Sequence, residues 1–190
     1  MMGPVRIHLQ VNGMPHAIEV DSRLLLVEVL RDALGQTGTH IGCLTGDCGA
    51  CTVIMDGQLV KSCLTLGVAA EARDIITIEG CHDPILRQLQ RAFVSENGFQ
   101  CGFCTAGMIL AALNLLMTEL KPDDTSIREA LAGNLCRCTG YDDIVAAVRK
   151  AAELARAELG VEGEAGACLR PTPCDTSDGP HEEVAHGRGA

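Results

Sequence analysis

The 190-residue sequence predicts an α+β protein: a small sheet domain over residues 1–80, a four-helix bundle domain over 81–160 and a tail over 161–190. Three observations carry that prediction. Before residue 80 the apolar residues alternate in short runs, and after it they recur at helical spacing. Asn-Gly and Asp-Gly pairs punctuate the first part, as tight hairpins require. The end of the chain is rich in Gly, Pro and acid, with few large apolar residues to bury.

The elements follow in order. "VRIHLQV" (5–11) and "HAIEV" (16–20) read as strands joined through Asn12-Gly13. "DSRLLLVEVLRDALG" (21–35) changes to helical period, with Asp21 or Ser22 as its cap and Gly35 as its end. A loop dense in cysteine and glycine comes next. "CTVIM" and "LVKSC" then flank Asp56-Gly57 as a second hairpin, and "IITIE" (75–79) closes the sheet. Strands packed on a single helix make a small α+β unit. Beyond it, Asp83-Pro84 opens a helix running to about Asn97-Gly98. "TAGMILAALNLLMTEL" (105–120) stops at Lys121-Pro122. Ser126 and Glu129 are spaced as a capping box for a short third helix. "DDIVAAVRKAAELARAEL" (142–159) is a long fourth helix that ends at Gly160. The tail 161–190 reads as disordered or bound along a partner.

Composition narrows the function. The chain has 15 Lys and Arg against 25 Asp and Glu, a net charge of −10, which disfavours polyanionic partners such as nucleic acid. With no Trp, one Tyr and three Phe, it has almost nothing on which to stack bases. The first twenty residues contain no apolar leader core, and no run of about 18 apolar residues is present to span a membrane. The expected compartment is the cytoplasm, where eleven cysteines point to metal binding rather than to disulfides.

Eight of those cysteines fall into two sets. Cys43, Cys48 and Cys51 stand in C-x4-C-x2-C order, with Cys63 twelve residues further on. This is the spacing of a plant-type [2Fe–2S] site. Gly42, Gly46 and Gly49 let backbone N–H groups turn toward an anionic centre. Four thiolates also suit zinc, but structural zinc favours two separated knuckles over three clustered ligands and one distant one. Cys101, Cys104, Cys136 and Cys138 form the second set, gathered where helix connections meet. The helix that starts near Thr105 presents its positive end to this set. Cys81 reads as a small buried hydrophobe, and Cys168 and Cys174 as spectator thiols. His40 invites a Rieske reading, but four cysteines already complete the first set.

Taken together, "THIGCLTGDCGACTV", "SCLTL", "GFQCGFCTAGM" and "GNLCRCTGYDDIV" resemble the iron–sulfur small subunit of molybdenum hydroxylases. That family includes carbon monoxide, N-heterocycle, aldehyde and xanthine dehydrogenases. The resemblance spans about residues 4–158 and implies a plant-ferredoxin-like β-grasp domain followed by a four-helix domain. It implies that Cys43, Cys48, Cys51 and Cys63 hold the cluster nearer a flavin subunit. Cys101, Cys104, Cys136 and Cys138 would hold the cluster nearer the molybdenum cofactor, with Gln100 and Cys138 touching its pterin. The implied partners are a large molybdopterin-binding subunit and a medium FAD-binding subunit, in a dimer of heterotrimers. No catalytic residue is expected on this chain. The sequence departs from the family at Ala106, where proline is usual. The residues alone leave two other readings open: a free-standing two-cluster ferredoxin, and a zinc-stabilised interaction protein.

Overall fold

The sheet forms where the alternating segments lie, in a computed structural model that describes residues 4–80 and 83–160. β1 (Val5–Val11) and β2 (Met14–Val20) pair antiparallel. Their connecting residues Asn12 and Gly13 both take positive φ, 55° and 77°, which matches the right-handed twist of the strands. β3 (Thr52–Met55) and β4 (Gln58–Lys61) repeat the device through Asp56 and Gly57. β5 (Asp74–Ile76) runs parallel to β1 and antiparallel to β3, giving the order β2-β1-β5-β3-β4.

β3 and β5 are buried on both faces, and this links the halves of the molecule. Successive side chains of a strand point to opposite faces. Val53 and Ile75 therefore join Ile7, Leu9, Leu26 and Leu30 in the core between sheet and first helix. Their neighbours Ile54 and Ile76 face the other way, into the core of the four later helices. The two predicted units thus share a packed face.

The first helix differs from its prediction. α1 covers only Leu26–Glu28 and continues as a wide, π-type turn over Val29–Ala33, in which Leu34 N–H bonds the Val29 carbonyl at 3.1 Å. Neither Asp21 nor Ser22 caps it. The Asp21 carboxylate instead accepts from the Arg23 N–H at 2.9 Å and pairs with its guanidinium, closing a local turn. The Glu28 carboxylate takes the Leu25 N–H at the true start, and Gly35 ends the element at φ 71°. The last strand is also shorter than predicted, since Ile78–Gly80 turns as a 3-10 helix.

Four helices follow: α2 (Pro84–Ser95), α3 (Thr105–Thr118), α4 (Asp124–Leu131) and α5 (Asp142–Leu159). Asp83 caps α2 by accepting from the Ile85 N–H at 2.7 Å, and Gly160 ends α5 in the left-handed region. The cap of α4 is Asp123, not Ser126: the Ser126 N–H donates to the Asp123 carboxylate at 2.7 Å. Ser126 lies inside the first turn, where its own amide is one of the orphans to be satisfied. α3 is apolar almost all round, so it lies at the centre, packed against α2, α4 and β3. Among the described residues no helix is long and apolar enough to cross a membrane. Cys81, Cys168, Cys174 and the segment 161–190 lie outside the described residues.

Candidate metal centres

The first cysteine set is built on a loop whose backbone repeatedly turns over. Leu44, Gly46 and Gly49 take φ of 62°, 86° and 71°. These reversals aim amides inward, and the Thr45 and Cys48 N–H groups donate to the Cys43 sulfur at 3.4 and 3.5 Å. Hydrogen bonds from Thr45 and Cys48 hold the Cys43 thiol down at about 6. Cys51 and Cys63 are buried beside Val27. Cys63 is not on β4 but in a 3-10 turn, Ser62–Leu64, just beyond it. The Ser62 hydroxyl donates to the Cys51 carbonyl at 2.7 Å and so holds the two cysteines side by side. Burial, and then the neighbouring Cys51, push the Cys63 thiol up to about 11. Burial also raises Cys48.

The second set assembles at the start of α3 and on the loop 133–140. The Cys138 and Cys101 sulfurs are 3.6 Å apart, and both residues are exposed. Burial, and then its neighbour Cys136, push Cys104 up to about 12. Burial acts upward on Cys136 too, but hydrogen bonds from Thr139 outweigh it and leave the thiol below its ordinary value. The Thr139 hydroxyl donates to that sulfur at 3.2 Å. Exposed Gln100 precedes Cys101, so Gln100, Cys101 and Cys138 form one rim.

The donor sets fit iron–sulfur ligation. Thiols crowded until several resist ionisation favour a cationic centre that takes them all as thiolates. Among the described residues no three His, Cys, Asp or Glu side chains converge on a point suited to a single metal ion. The second set lies instead as two neighbouring pairs, Cys101 with Cys138 and Cys104 with Cys136. The four thiols would hold an iron–sulfur centre as its ligands. The Thr105 hydroxyl, next to Cys104, is buried without a partner among the described residues, and a cluster sulfur would accept from it.

A polar seam joins the two loops. The Leu135 N–H donates to the Cys48 carbonyl at 2.8 Å. Buried Asn134 donates through Nδ2 to the Gly49 carbonyl at 3.0 Å and to Thr52 Oγ1 at 3.3 Å. His40 Nδ1 donates to the Phe103 carbonyl at 2.8 Å and its ring stacks on Phe103, with centroids 4.7 Å apart. The Tyr141 hydroxyl accepts from the Cys136 N–H at 2.9 Å and donates to the Asn134 carbonyl at 3.0 Å.

Comparison with known proteins agrees with this arrangement. A family model described as 2Fe-2S iron-sulfur cluster binding domain matches residues 9–75, and one described as [2Fe-2S] binding domain matches residues 77–149. The nicotine 6-hydroxylase small subunit of Paenarthrobacter nicotinovorans is 47% identical over 144 residues, covering 76% of this chain and 87% of that one. The caffeine dehydrogenase subunit gamma of a Pseudomonas species is 46% identical over 159 residues, covering 80% and 95%. The chain belongs to the iron–sulfur small subunits of the molybdenum hydroxylases. Among solved structures, quinoline 2-oxidoreductase from Pseudomonas putida 86 contains a chain that superposes with a TM-score of 0.77 at 43% identity, covering 82% of this chain and 98% of that one. Two matched cluster-binding domains make this a member built for two [2Fe–2S] clusters.

Asn134, Tyr141 and Thr105 are residues that reading the sequence missed, and so is Lys61, whose ammonium donates across the seam to Gly133 O at 2.7 Å and Asn134 Oδ1 at 3.3 Å. Asn134 and Tyr141 lie inside the quoted "GNLCRCTGYDDIV", where the cysteines drew the attention. Lys61 carries no sequence signal, since a lysine ending a hairpin strand is ordinary.

Proposed function

We propose that the chain is the electron-transfer subunit of a molybdenum-containing hydroxylase or dehydrogenase. Its sheet unit (1–80) uses Cys43, Cys48, Cys51 and Cys63 for one [2Fe–2S] cluster. Its helical unit (81–160) uses Cys101, Cys104, Cys136 and Cys138 for the other. When bound, these clusters supply one-electron carriers between a molybdenum cofactor and FAD on partner subunits. The partners are a large molybdopterin-binding subunit, met at the Gln100 and Cys138 rim, and a medium FAD-binding subunit. The assembly is a cytoplasmic dimer of heterotrimers.

The seam is the observation that carries this reading. The hydrogen bond from Leu135 N–H to the Cys48 carbonyl joins a first-set cysteine to the residue beside Cys136. Asn134, Lys61 and His40 brace the same junction, so the two sets are held at fixed spacing rather than on independent loops. A relay needs that rigidity, because both its spacing and the sulfur hydrogen bonds must stay constant while charge moves. The exposed apolar residues also support docking. Ile41, Leu44 and Leu64 flank the first set, and Phe99, Phe103 and Leu135 flank the second.

The test is spectroscopic. The complex isolated from its native host is expected to contain iron, acid-labile sulfide, molybdenum and flavin, and to show two distinguishable paramagnetic signals when reduced. Cys104→Ser is expected to remove or alter one signal only. A protein with stoichiometric zinc and no sulfide sinks the reading, as does Cys104→Ser with both signals unchanged.

A further inference from the structure

Lys61 ends β4 two residues before Cys63, and its ammonium reaches across the seam to the loop of the second set. Its nitrogen meets three oxygens: Gly133 O at 2.7 Å, Thr52 Oγ1 at 2.9 Å and Asn134 Oδ1 at 3.3 Å. Each of these is an acceptor toward the lysine. The Thr52 hydroxyl spends its proton on the Gly49 carbonyl at 2.7 Å, so its oxygen is left to accept. Asn134 turns its Nδ2 to that same carbonyl, which leaves Oδ1 facing Lys61. Three acceptors call for three N–H donors, and only the ammonium form has them.

This cation is half-buried and has no carboxylate partner among the described residues. A buried charge ringed by neutral groups is costly unless anions lie close by. Its nitrogen lies 2.9 Å from the hydroxyl of Thr52, the residue after Cys51, which places the charge beside the first set. Burial lowers the Lys61 pKa, and the thiols Cys51, Cys48, Cys63 and Cys43 act against that shift. As thiolates around a cluster they supply the missing negative charge.

We propose that Lys61 is the fixed counter-charge of the first site. It raises the reduction potential of a cluster held by Cys43, Cys48, Cys51 and Cys63 relative to one held by the second set. The inference rests on the two-cluster reading above. Passage of one electron from the second site to the first oxidises one and reduces the other, with no bond made or broken. The first site then carries one more negative charge, which a neighbouring ammonium stabilises. Lys61 thereby biases a shared electron toward the sheet unit, the outgoing end of the relay. It acts through the cluster environment and touches no substrate, so it is a tuning residue.

Redox titration of the complete complex, followed through both paramagnetic signals, tests this. Lys61→Met keeps the apolar stem and removes the charge. Lys61→Arg keeps the charge, and Thr52→Val removes one of the lysine's acceptors, together with the hydroxyl's bonds to Gly49 O and Asn134 Nδ2, while leaving the charge in place. Lys61→Met is expected to lower the first-site midpoint and shift the sharing of one electron toward the second site by about tenfold, ~59 mV for a one-electron couple. Lys61→Arg and Thr52→Val are expected to hold the separation between the two midpoints near that of the unaltered complex. If Lys61→Met does not retain its clusters, Lys61→Gln is titrated in its place with the same expectation. An unmoved separation in the neutral variant overturns the inference, and so does Thr52→Val moving it as far. An unaltered complex lacking two signals would instead remove the two-cluster reading itself.

Discussion

Gly49→Ala tests whether the seam between the cysteine loops contributes to stability, and Gly57→Ala is its internal control. Both glycines take similar left-handed conformations, φ 71° and 79°. A side chain is disfavoured there by roughly 1–2 kcal/mol in either case. The difference lies in what a Cβ would meet. At Gly57 nothing lies within 4 Å. At Gly49 it would stand 2.3 Å from the Gly133 carbonyl oxygen and 2.6 Å from Asn134 Cγ. A backbone carbonyl cannot swing away as a side-chain tip does, so the loop 133–135 must withdraw. That withdrawal strains two seam bonds, Asn134 Nδ2 to Gly49 O and Leu135 N to Cys48 O. Each is worth about 1 kcal/mol, and the partly opened junction adds packing loss. The expected cost is roughly 3–5 kcal/mol for Gly49→Ala against roughly 1–2 for Gly57→Ala. Urea denaturation of the full chain, followed by far-ultraviolet circular dichroism and by visible absorption, measures both. Equal losses in the two variants would refute the claim that the seam couples the loops.

Three further outcomes follow from the same contacts. Ile54→Ala removes a side chain that is 1% exposed and carries β3 into the helical core, so a loss of about 2–4 kcal/mol is expected in denaturant titration. Tyr141→Phe keeps the ring but deletes the hydroxyl that bridges Cys136 N–H and the Asn134 carbonyl. It is expected to cost about 1–2 kcal/mol and to perturb only the second paramagnetic signal; an unchanged spectrum would remove Tyr141 from that site. Burial raises the Asp83 carboxyl above its ordinary 3.8, so its share of stability is present below that value and is lost as pH rises through the folded-state pKa. Asp83→Asn caps α2 equally well without the charge, and is expected to flatten this pH dependence and to match or exceed the parent at neutral pH. A neutral-pH loss in Asp83→Asn would contradict this.

Much of the architecture was legible because it is local. Asn12-Gly13 and Asp56-Gly57 demand left-handed turns that few other pairs supply, so both hairpins could be placed from the sequence. Asp83-Pro84 and Gly160 marked helix ends for equally local reasons. The readings that went astray were choices between neighbouring polar groups. Asp21 could cap a helix or close a turn on Arg23, and the ion pair favoured the turn. Asp123 and Ser126 could each cap α4, and the carboxylate in extended backbone took the position. The widening at Val29–Ala33 has no local signature, because packing of Val29 and Leu30 beneath the sheet sets it.

The cysteine spacing alone determined the kind of chemistry: two sets of four soft ligands, one of them in plant-type order, on an acidic chain almost without aromatic residues. Only the tertiary structure decided how the two sets stand to one another. Residues 48 and 135, or 61 and 133, are far apart along the chain, and no periodicity relates them. Their meeting depends on Ile54 and Ile76 leaving the sheet's core for that of the helices, which brings the loop 133–136 against the loop 42–51. Burial of those side chains is non-directional, and the hydrogen bonds of Asn134 and Lys61 supply the direction. The sequence names the thiols; three-dimensional packing joins their two loops through Asn134 and Lys61.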